Sequence, residues 1–536
     1  MVVAALLLGV GVTWPTILHP SDSSSLSRFT EGHISAFGLM AQTAPWTPWT
    51  TLAAAPEGVD FRPLLWPAGL LARGLGAVAT YNVVLMLTPA FNVLGGWVLG
   101  RALGLARGQA AALGASLAFP PWVRTTLENG QPEQALLGSG ALLLATVVWS
   151  CHGRYWRLGL VPLATFGLGV ATPHVVLAGL VLVCGFSAFS IVSSLRSAAR
   201  SSGPGVATTA VVPANEGRNV PPTEPRALAV SPIPAGRTLV AVSLALVGAW
   251  AVAGYHAPGF DPSIPHFFAP FGLLDASQGP TPKRAIQALD LVWRAGVPPG
   301  KPPFVLHLGY VGVPLMVAGL VGARRAPWAA TAGVACLVLA VGEQGPYGLF
   351  ASLSPTLSAS GTPYRFVLGA VLAAAILAAC TRAAWPLAAL SLAESAFIDP
   401  RPLPFAPASL PEDASSAQIA SRDGIVLDLP PPGTCRHVAG HYLVEATRHG
   451  NAVPLSLRSG ALAYPHRPEF SSQLERALNA PDCAAQLAPL VKGFDVVVAH
   501  QHERCLLRET QLGCIQAVLG RGHSTPGVSW WILGEE

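Results

Sequence analysis

The 536-residue chain is 51% hydrophobic and only 11% charged, against roughly 25% charged residues in a typical soluble domain, and its mean hydropathy is +0.48. These values exclude a water-soluble globule and point to a polytopic α-helical membrane protein. The net charge of +5 comes largely from arginines at the edges of apolar runs, so it reads as an orientation signal and argues against a nucleic-acid partner.

A membrane-spanning helix needs about 20 mostly apolar residues. The first such run covers residues 2–18. Met1–Leu18 lacks the basic n-region and small-residue cleavage site of a signal peptide, so it is expected to be a retained span. Further spans are predicted at 79–100, 107–121, 134–151, 157–173, 174–194, 238–255, 304–322, 327–342, 365–381 and 383–397, about eleven in all. Pro and Gly within 107–121 and 157–194 allow re-entrant or broken helices there. Arg101, Arg107, Arg154, Arg157, Arg196, Arg200, Arg218, Arg226, Arg237, Arg324, Arg325 and Arg382 fall in alternate loops. The positive-inside bias assigns those loops and the N-terminus to the cytoplasm, and the C-terminus to the other side.

Between the first two spans, Phe29–Met40 has a helical apolar pattern, and Pro63–Leu75 is apolar but too short to cross. With Trp46, Trp49 and Trp66 close by, both suit helices lying in the interface. Leu195–Gly236 is rich in Ser, Pro, Gly and Arg and has no aromatic residue, which suits a flexible cytoplasmic linker. The chain thus divides into a membrane module, 1–398, and an extracytoplasmic α/β domain, 399–536. In the latter, Ile425–Leu429, Tyr442–Ala446, Val496–Ala499 and Trp530–Leu533 read as strands, and Ser471–Val491 as helix broken near Pro481. Cys151, Cys184, Cys336 and Cys380 lie in or beside apolar runs and suit packing. Cys435, Cys483, Cys505 and Cys514 form an even set in the tail and suggest disulfides, with three connectivities open.

The candidate chemistry gathers on the extracytoplasmic side. Asp22, Glu31 and His33 follow the first span, and Glu57 and Asp60 share their loop. A carboxylate held at a membrane surface is partly desolvated, which raises its pKa and suits a general base. The bland alternative is that Asp22 and Glu31 cap or solvate helix ends. Arg62, Arg124, Lys283, Arg284, Arg294, Lys301 and Arg365 are external cations by the same parity; they suit a phosphate leaving group, or simple snorkelling. Arg365, following Tyr364 at a span mouth, stands out among them. Glu128, Asn129, Gln131, Glu133 and Gln134 make a turn whose amides and carboxylates match sugar hydroxyls, although a solvated loop has the same composition. His174 reads as a packing or capping residue.

PEGVDFRPLLWPAGLLA, then ATYNVVLMLTPAFNVLGGWVLGRALGLARGQAAALGASLAF and NGQPEQALLG, resemble bacterial integral membrane glycosyltransferase-like proteins of the GT-C class. HLGYVGVPLMVAGLVGARR and SGTPYRFVLGAVLAAAILAA are similar to their second half, and IVLDLP, YLVEATRHGNAVPLSLRSG and GFDVVVAH to their tail. The resemblance implies a many-helix module of the bacterial cytoplasmic membrane, a polyprenyl-phosphate sugar as donor, and a catalytic Asp or Glu in the first external loop. By position Asp22, Glu31 or Asp60 would take that role, with His33, Arg62, Arg124, Glu128, Gln131, Tyr364 and Arg365 around the substrate. The adjacent acidic pair of many relatives is missing from SDSSSLSRFTEGH.

The expected reaction is an inverting displacement at the anomeric carbon, in which one carboxylate deprotonates a glycan, lipid or protein acceptor. Phosphate departs without a second acid, and the scheme needs no metal or other cofactor. A transporter of lipid-linked sugars and a non-catalytic scaffold are the rival readings; the first calls for polar groups inside spans and paired repeats.

Overall fold

The computed structural model describes residues 2–18, 22–23, 33–34, 37–38, 41, 62–128, 130–201, 233–256, 321–340, 345–353, 363–397, 408–409, 415–420, 424–431, 439–449, 456–458, 461–463, 469–501 and 506–533. The chain is mostly helical, with a small sheet near the C-terminus. The membrane module comprises α1 (Val2–Leu18), α2 (Arg62–Leu75), α3 (Ala77–Ala102), α4 (Arg107–Ala118), α5 (Pro121–Glu128), α6 (Pro132–Ala135), α7 (Leu137–His152), α8 (Leu160–Ala171), α9 (Pro173–Ser201), α10 (Ala235–His256), α11 (Pro327–Ala340), α12 (Pro346–Leu353), α13 (Val367–Ala379) and α14 (Ala384–Phe397). Helix therefore coincides with every expected span except 304–322, which lies almost wholly outside the described residues. Among the described residues, three helices are long and apolar enough to cross a bilayer, at Ala77–Ala102, His174–Ala199 and Ala235–Val252. The remaining apolar helices are shorter.

Several short helices have a local cause. Pro120 and Pro121 separate α4 from α5, since a proline ring blocks the preceding residue from helical angles and removes a donor. Pro173 sets the boundary between α8 and α9 in the same way, and Thr172 before it leaves the helical region at φ −141° and ψ 63°. Hydroxyls inside the apolar helices are satisfied within their own helix: Thr13 donates to the Gly9 carbonyl at 2.9 Å, Thr88 to Val84 at 2.8 Å and Thr165 to Val161 at 2.8 Å. That back-bonding lets a polar side chain sit among apolar neighbours.

The centre of the module is α3, which packs against α1, α2, α4 and α7. Lipid tails are as apolar as leucine, so helix association in a bilayer depends on close packing rather than on expelling water. Small residues on α3 provide it. A Cβ on Gly95 would lie 2.7 Å from the Gly138 backbone of α7, one on Gly96 2.8 Å from Gly114 of α4, and one on Gly100 2.7 Å from Ala110. These contacts also set the register. The break between α4 and α7 stands level with Asn92, which at about 1.5 Å per residue is roughly 15 Å from Ala102 and roughly 22 Å from Ala77.

Strands β1 (Asp22–Ser23) and β2 (Ala408–Ser409) form a two-stranded ladder, and the C-terminal unit contains β3 (Val426–Leu429), β6 (Val496–His500), β7 (His523–Thr525) and β8 (Val528–Ile532) in the order β3-β6-β8-β7. β3 and β6 are parallel, with Val426 opposite Val496, and the other pairs are antiparallel. Both parallel strands are buried along their length, which fits their near-continuous apolar sequence. Two further strands, β4 (Ser456–Arg458) and β5 (Ala461–Ala463), form a separate hairpin. The helices are α15 (Ser415–Ile419), α16 (Ala439–His449), α17 (Phe470–Asn479), α18 (Cys483–Val491) and α19 (Glu509–Leu519). Three of the expected strands appear, and the expected break near Pro481 separates α17 from α18. Tyr442–Ala446 is a correction: its β-favouring side chains lie within α16, where a helical face puts Tyr442 and Ala446 into the domain core. Packing overrides local strand preference there.

Cys483 and Cys514 are disulfide-bonded across a separation of 31 residues, a loop closure worth about 3 to 4 kcal/mol on chain-entropy grounds. Cys435 and Cys505 lie outside the described residues. Cys151, Cys184, Cys336 and Cys380 are free thiols, three of them buried. The expected linker 195–236 is described only at its ends, with α9 continuing to Ser201 and α10 starting at Ala235.

Replacing Gly96 with Leu should cost about 1 to 3 kcal/mol by overpacking, read as a lower thermal midpoint of the full-length protein in detergent. Gly74→Ala, where nothing lies within 4 Å, should leave the midpoint nearly unchanged. Equal shifts would refute the close α3–α4 approach.

Candidate functional site

Polar side chains collect where the short helices meet, level with Asn92. The broken stretch between α4 and α7 has backbone groups that no regular helix satisfies, and a buried segment of this kind needs partners from elsewhere. Asn92 is buried and supplies two: Nδ2 donates to the Ala135 carbonyl at 2.8 Å, and Oδ1 accepts the Gly138 N–H at 2.8 Å. Gly138 belongs to the first turn of α7, whose N–H groups lack partners within the helix. Trp122 Nε1, also buried, donates to the Gln134 carbonyl at 3.1 Å. Sequence reasoning passed over Asn92, whose signal was an amide within a mostly apolar span.

Arg124 on α5 is completely buried, and its guanidinium donates to the carbonyl of Ser395 on α14. Ser395 stands in the last turn of that helix, where carbonyls lack intrahelical partners and the helix dipole is negative. The guanidinium thus closes the end of α14. Glu394, next to Ser395, is half-buried. It is an acid inside an expected span that sequence reasoning did not single out.

Arg365 and His174 meet at the starts of two helices. Arg365 lies in the 3-10 turn Pro363–Phe366 that leads into α13, and His174 is in the first turn of α9. Their side chains are hydrogen-bonded, Arg365 Nη1 to His174 Nε2. Guanidinium can only donate, so the imidazole accepts at Nε2 and is the neutral tautomer with its proton on Nδ1. Together with two helix N-termini, this gives one net cation in a positively polarised setting. The start of α9 adjoins that of α7, since a Cβ on Gly140 would lie 3.2 Å from the Val175 carbonyl.

The first-loop residues are described in part. Asp22 and Ser23 form β1 and pair antiparallel with Ser409 and Ala408 of β2, so this loop is tied to the chain just beyond the membrane module. β1 packs on α3. His33 is buried, with its ring centroid 6.2 Å from that of Phe37 and 5.9 Å from that of Tyr81 on α3. Arg73 of α2 donates to the Ala41 carbonyl at 3.1 Å, and residues 33–34, 37–38 and 41 are helical, as the pattern over Phe29–Met40 suggested. Arg62 opens α2, Glu128 closes α5, Gln131 precedes α6 half-buried, and Tyr364 shares the turn of Arg365. Glu31, Glu57, Asp60, Asn129, Lys283, Arg284, Arg294 and Lys301 lie outside the described residues. The structure therefore joins Arg365 to His174 and places Arg124 against α14.

A second polar cluster lies in the C-terminal domain. His500 Nε2 and Asp428 Oδ1 are 2.8 Å apart, both buried, at the carboxyl ends of β6 and β3. Tyr442 stacks on His500 with centroids 4.5 Å apart and donates to the Pro430 carbonyl at 2.9 Å. Glu445 accepts from Ser416 and pairs with Arg448, while His441 Nε2 is 3.8 Å from its carboxylate. In the sequence these histidines have no diagnostic nucleophile or metal spacing and stay unassigned; on a helix, residues 441, 445, 448 and 449 share a face.

The chain matches no family model and no curated protein.

Two outcomes are expected. Asn92→Leu orphans the Ala135 carbonyl and the Gly138 N–H, at about 1 to 3 kcal/mol for each buried group, and should lower the detergent unfolding midpoint more than Gly74→Ala, where nothing lies within 4 Å. The second concerns acid. Burial holds the His449 pKa below its ordinary value, partly offset by Asp428 and reinforced by His500. The unfolded chain then binds the proton first, so this contribution to stability is complete above about pH 6.5 and is lost as pH falls below it. Unfolding of the full-length protein followed between pH 7.5 and 5 should show the loss, and His449→Phe should flatten it.

Proposed function

We propose that this chain is a membrane glycosyltransferase that moves a sugar from a polyprenyl-phosphate donor to an acceptor outside the cytoplasm by one inverting displacement. The observation that carries the reading is the Arg365–His174 pair at two helix N-termini; Arg124 is a second cation, buried against the end of α14. Negative charge grows on the lipid phosphate as its bond to the anomeric carbon breaks, and fixed cations with helix N-termini are what stabilises it. Arg365, the charged member of its pair, takes that role, and Arg124 holds α14 in place. The acceptor hydroxyl attacks from the opposite face and gives its proton to a carboxylate from the first loop, Asp22, Glu31 or Asp60. Pairing of Asp22 with Ser409 restrains the backbone that carries this acid. Gln131 and Glu128, beside the helix break, suit sugar hydroxyls. Tyr364, Arg62 and His33 complete the expected substrate surroundings.

A transporter of lipid-linked sugars is a second reading, favoured by the broken stretch between α4 and α7 and by completely buried Arg124. Discontinuous helices and interior charges are common in transporters.

Both are tested with full-length protein in liposomes carrying radiolabelled polyprenyl-phosphate pentose or hexose and a hydroxyl acceptor. Release of polyprenyl phosphate with label on the acceptor supports transfer. Loss of a general base should reduce the rate by about 10²- to 10⁴-fold in one of Asp22→Asn, Glu31→Gln and Asp60→Asn, and Arg365→Gln should reduce it as well. Movement of intact donor between leaflets without cleavage would favour the transporter.

A further inference from the structure

The connection between α7 and α8 carries a group of side chains that the proposed reaction does not use. Trp149 lies near the end of α7, and Arg154, Tyr155, Trp156 and Arg157 follow Gly153. The Arg157 guanidinium carbon is 4.5 Å from the Trp149 ring centroid and 5.7 Å from that of Trp156. Arg237, at the start of α10, stands 4.0 Å over the Tyr155 ring and donates from Nη1 to the Gly153 carbonyl at 2.7 Å. Ser150 Oγ donates to the Arg157 carbonyl at 2.9 Å, which fixes the turn. A Cβ on Gly153 would come 2.5 Å from Arg157 Cδ, so the arginine side chain lies directly over this glycine.

The surface is unbalanced for water. Trp149, Tyr155 and Trp156 are 54%, 71% and 62% exposed, which costs hydrophobic free energy in solvent but suits the headgroup level of a bilayer. Three arginines lie within this patch, and neither 145–165 nor 233–245 contains an Asp or Glu. The Nε–H groups of Arg157 and Arg237 are buried and find no acceptor among the described residues. Arg157 makes no side-chain hydrogen bond there at all; its guanidinium is held by ring faces, which orient it while leaving its donors unspent.

We propose that this patch binds the headgroup phosphate of an anionic phospholipid in the leaflet at the α7–α8 end of the module. Phosphate oxygens match the guanidinium fork, and the exposed rings settle beside the acyl-chain boundary. The inference needs the chain to sit in a bilayer and is independent of any sugar transfer.

The test uses delipidated full-length protein in neutral detergent, with phosphatidylglycerol or phosphatidylcholine added and bound lipid counted by native mass spectrometry. Because arginines near an anionic surface attract it, wild type should prefer phosphatidylglycerol by about tenfold or more. Arg154→Gln/Arg157→Gln should bring the two lipids close to parity. Neither side chain bonds the backbone among the described residues, and Arg154→Gln alone, at an exposed position, should give a smaller reduction if the double variant does not fold. Equal binding of both lipids by wild type, or a preference unchanged in the variants, would overturn the proposal. Displacement of the lipid by millimolar inorganic phosphate would also overturn it, in favour of a free-anion site.

Discussion

The membrane module depends on the close approach of α3 to its neighbours. In lipid, apolar side chains gain little by leaving their surroundings, so contact area and satisfied polar groups must hold helices together. Gly95, Gly96 and Gly100 let two backbones reach α3. Asn92, on the same helix, then supplies the two hydrogen bonds that the broken stretch after α4 lacks. The second depends on the first, since an amide side chain is too short to reach Ala135 and Gly138 unless α7 is already close.

Arginines at helix ends serve packing as well as charge. Arg325 donates to the Cys380 carbonyl at 2.6 Å at the end of α13, Arg237 to Gly153 after α7, and Arg124 to Ser395 near the end of α14. Each meets carbonyls left unpaired at or just past a helix C-terminus, where positive charge is favoured. An arginine bias read from sequence therefore mixes two causes, orientation in the membrane and capping of a neighbouring helix. Arg124 shows the difference. Sequence parity counts it among the external cations; it is completely buried and holds one helix against another.

The apolar helices were legible because their signal is local: composition over a window and proline at a boundary. Pro120, Pro121 and Pro173 mark breaks that the chain alone foretold. The polar layer was less legible, because the pairing of His174 with Arg365 joins residues 191 positions apart, and a hydrogen bond of that span has no local signature. α16 failed for another reason. Tyr-Leu-Val favours strand by type, and the helical spacing of His441, Glu445, Arg448 and His449 became meaningful only once the burial of Tyr442 was known.

That helix also links the two parts of the chain. Tyr442 and Ala446 enter the core of the C-terminal domain, whereas Val444 packs into the core of the membrane module. The charges between the faces are held tightly: Asp428 and Glu445 are buried acids, Arg448 pairs with Glu445, and His441, His449 and His500 surround them. One oxygen of Asp428 has no hydrogen-bond partner among the described residues, and a buried carboxylate that gives up water is costly unless paired. His500 is the group that offsets this cost, by bonding the other oxygen. Since His500 also stacks on Tyr442 of α16, the ends of the two parallel strands and the helix reaching the membrane module are joined through one imidazole.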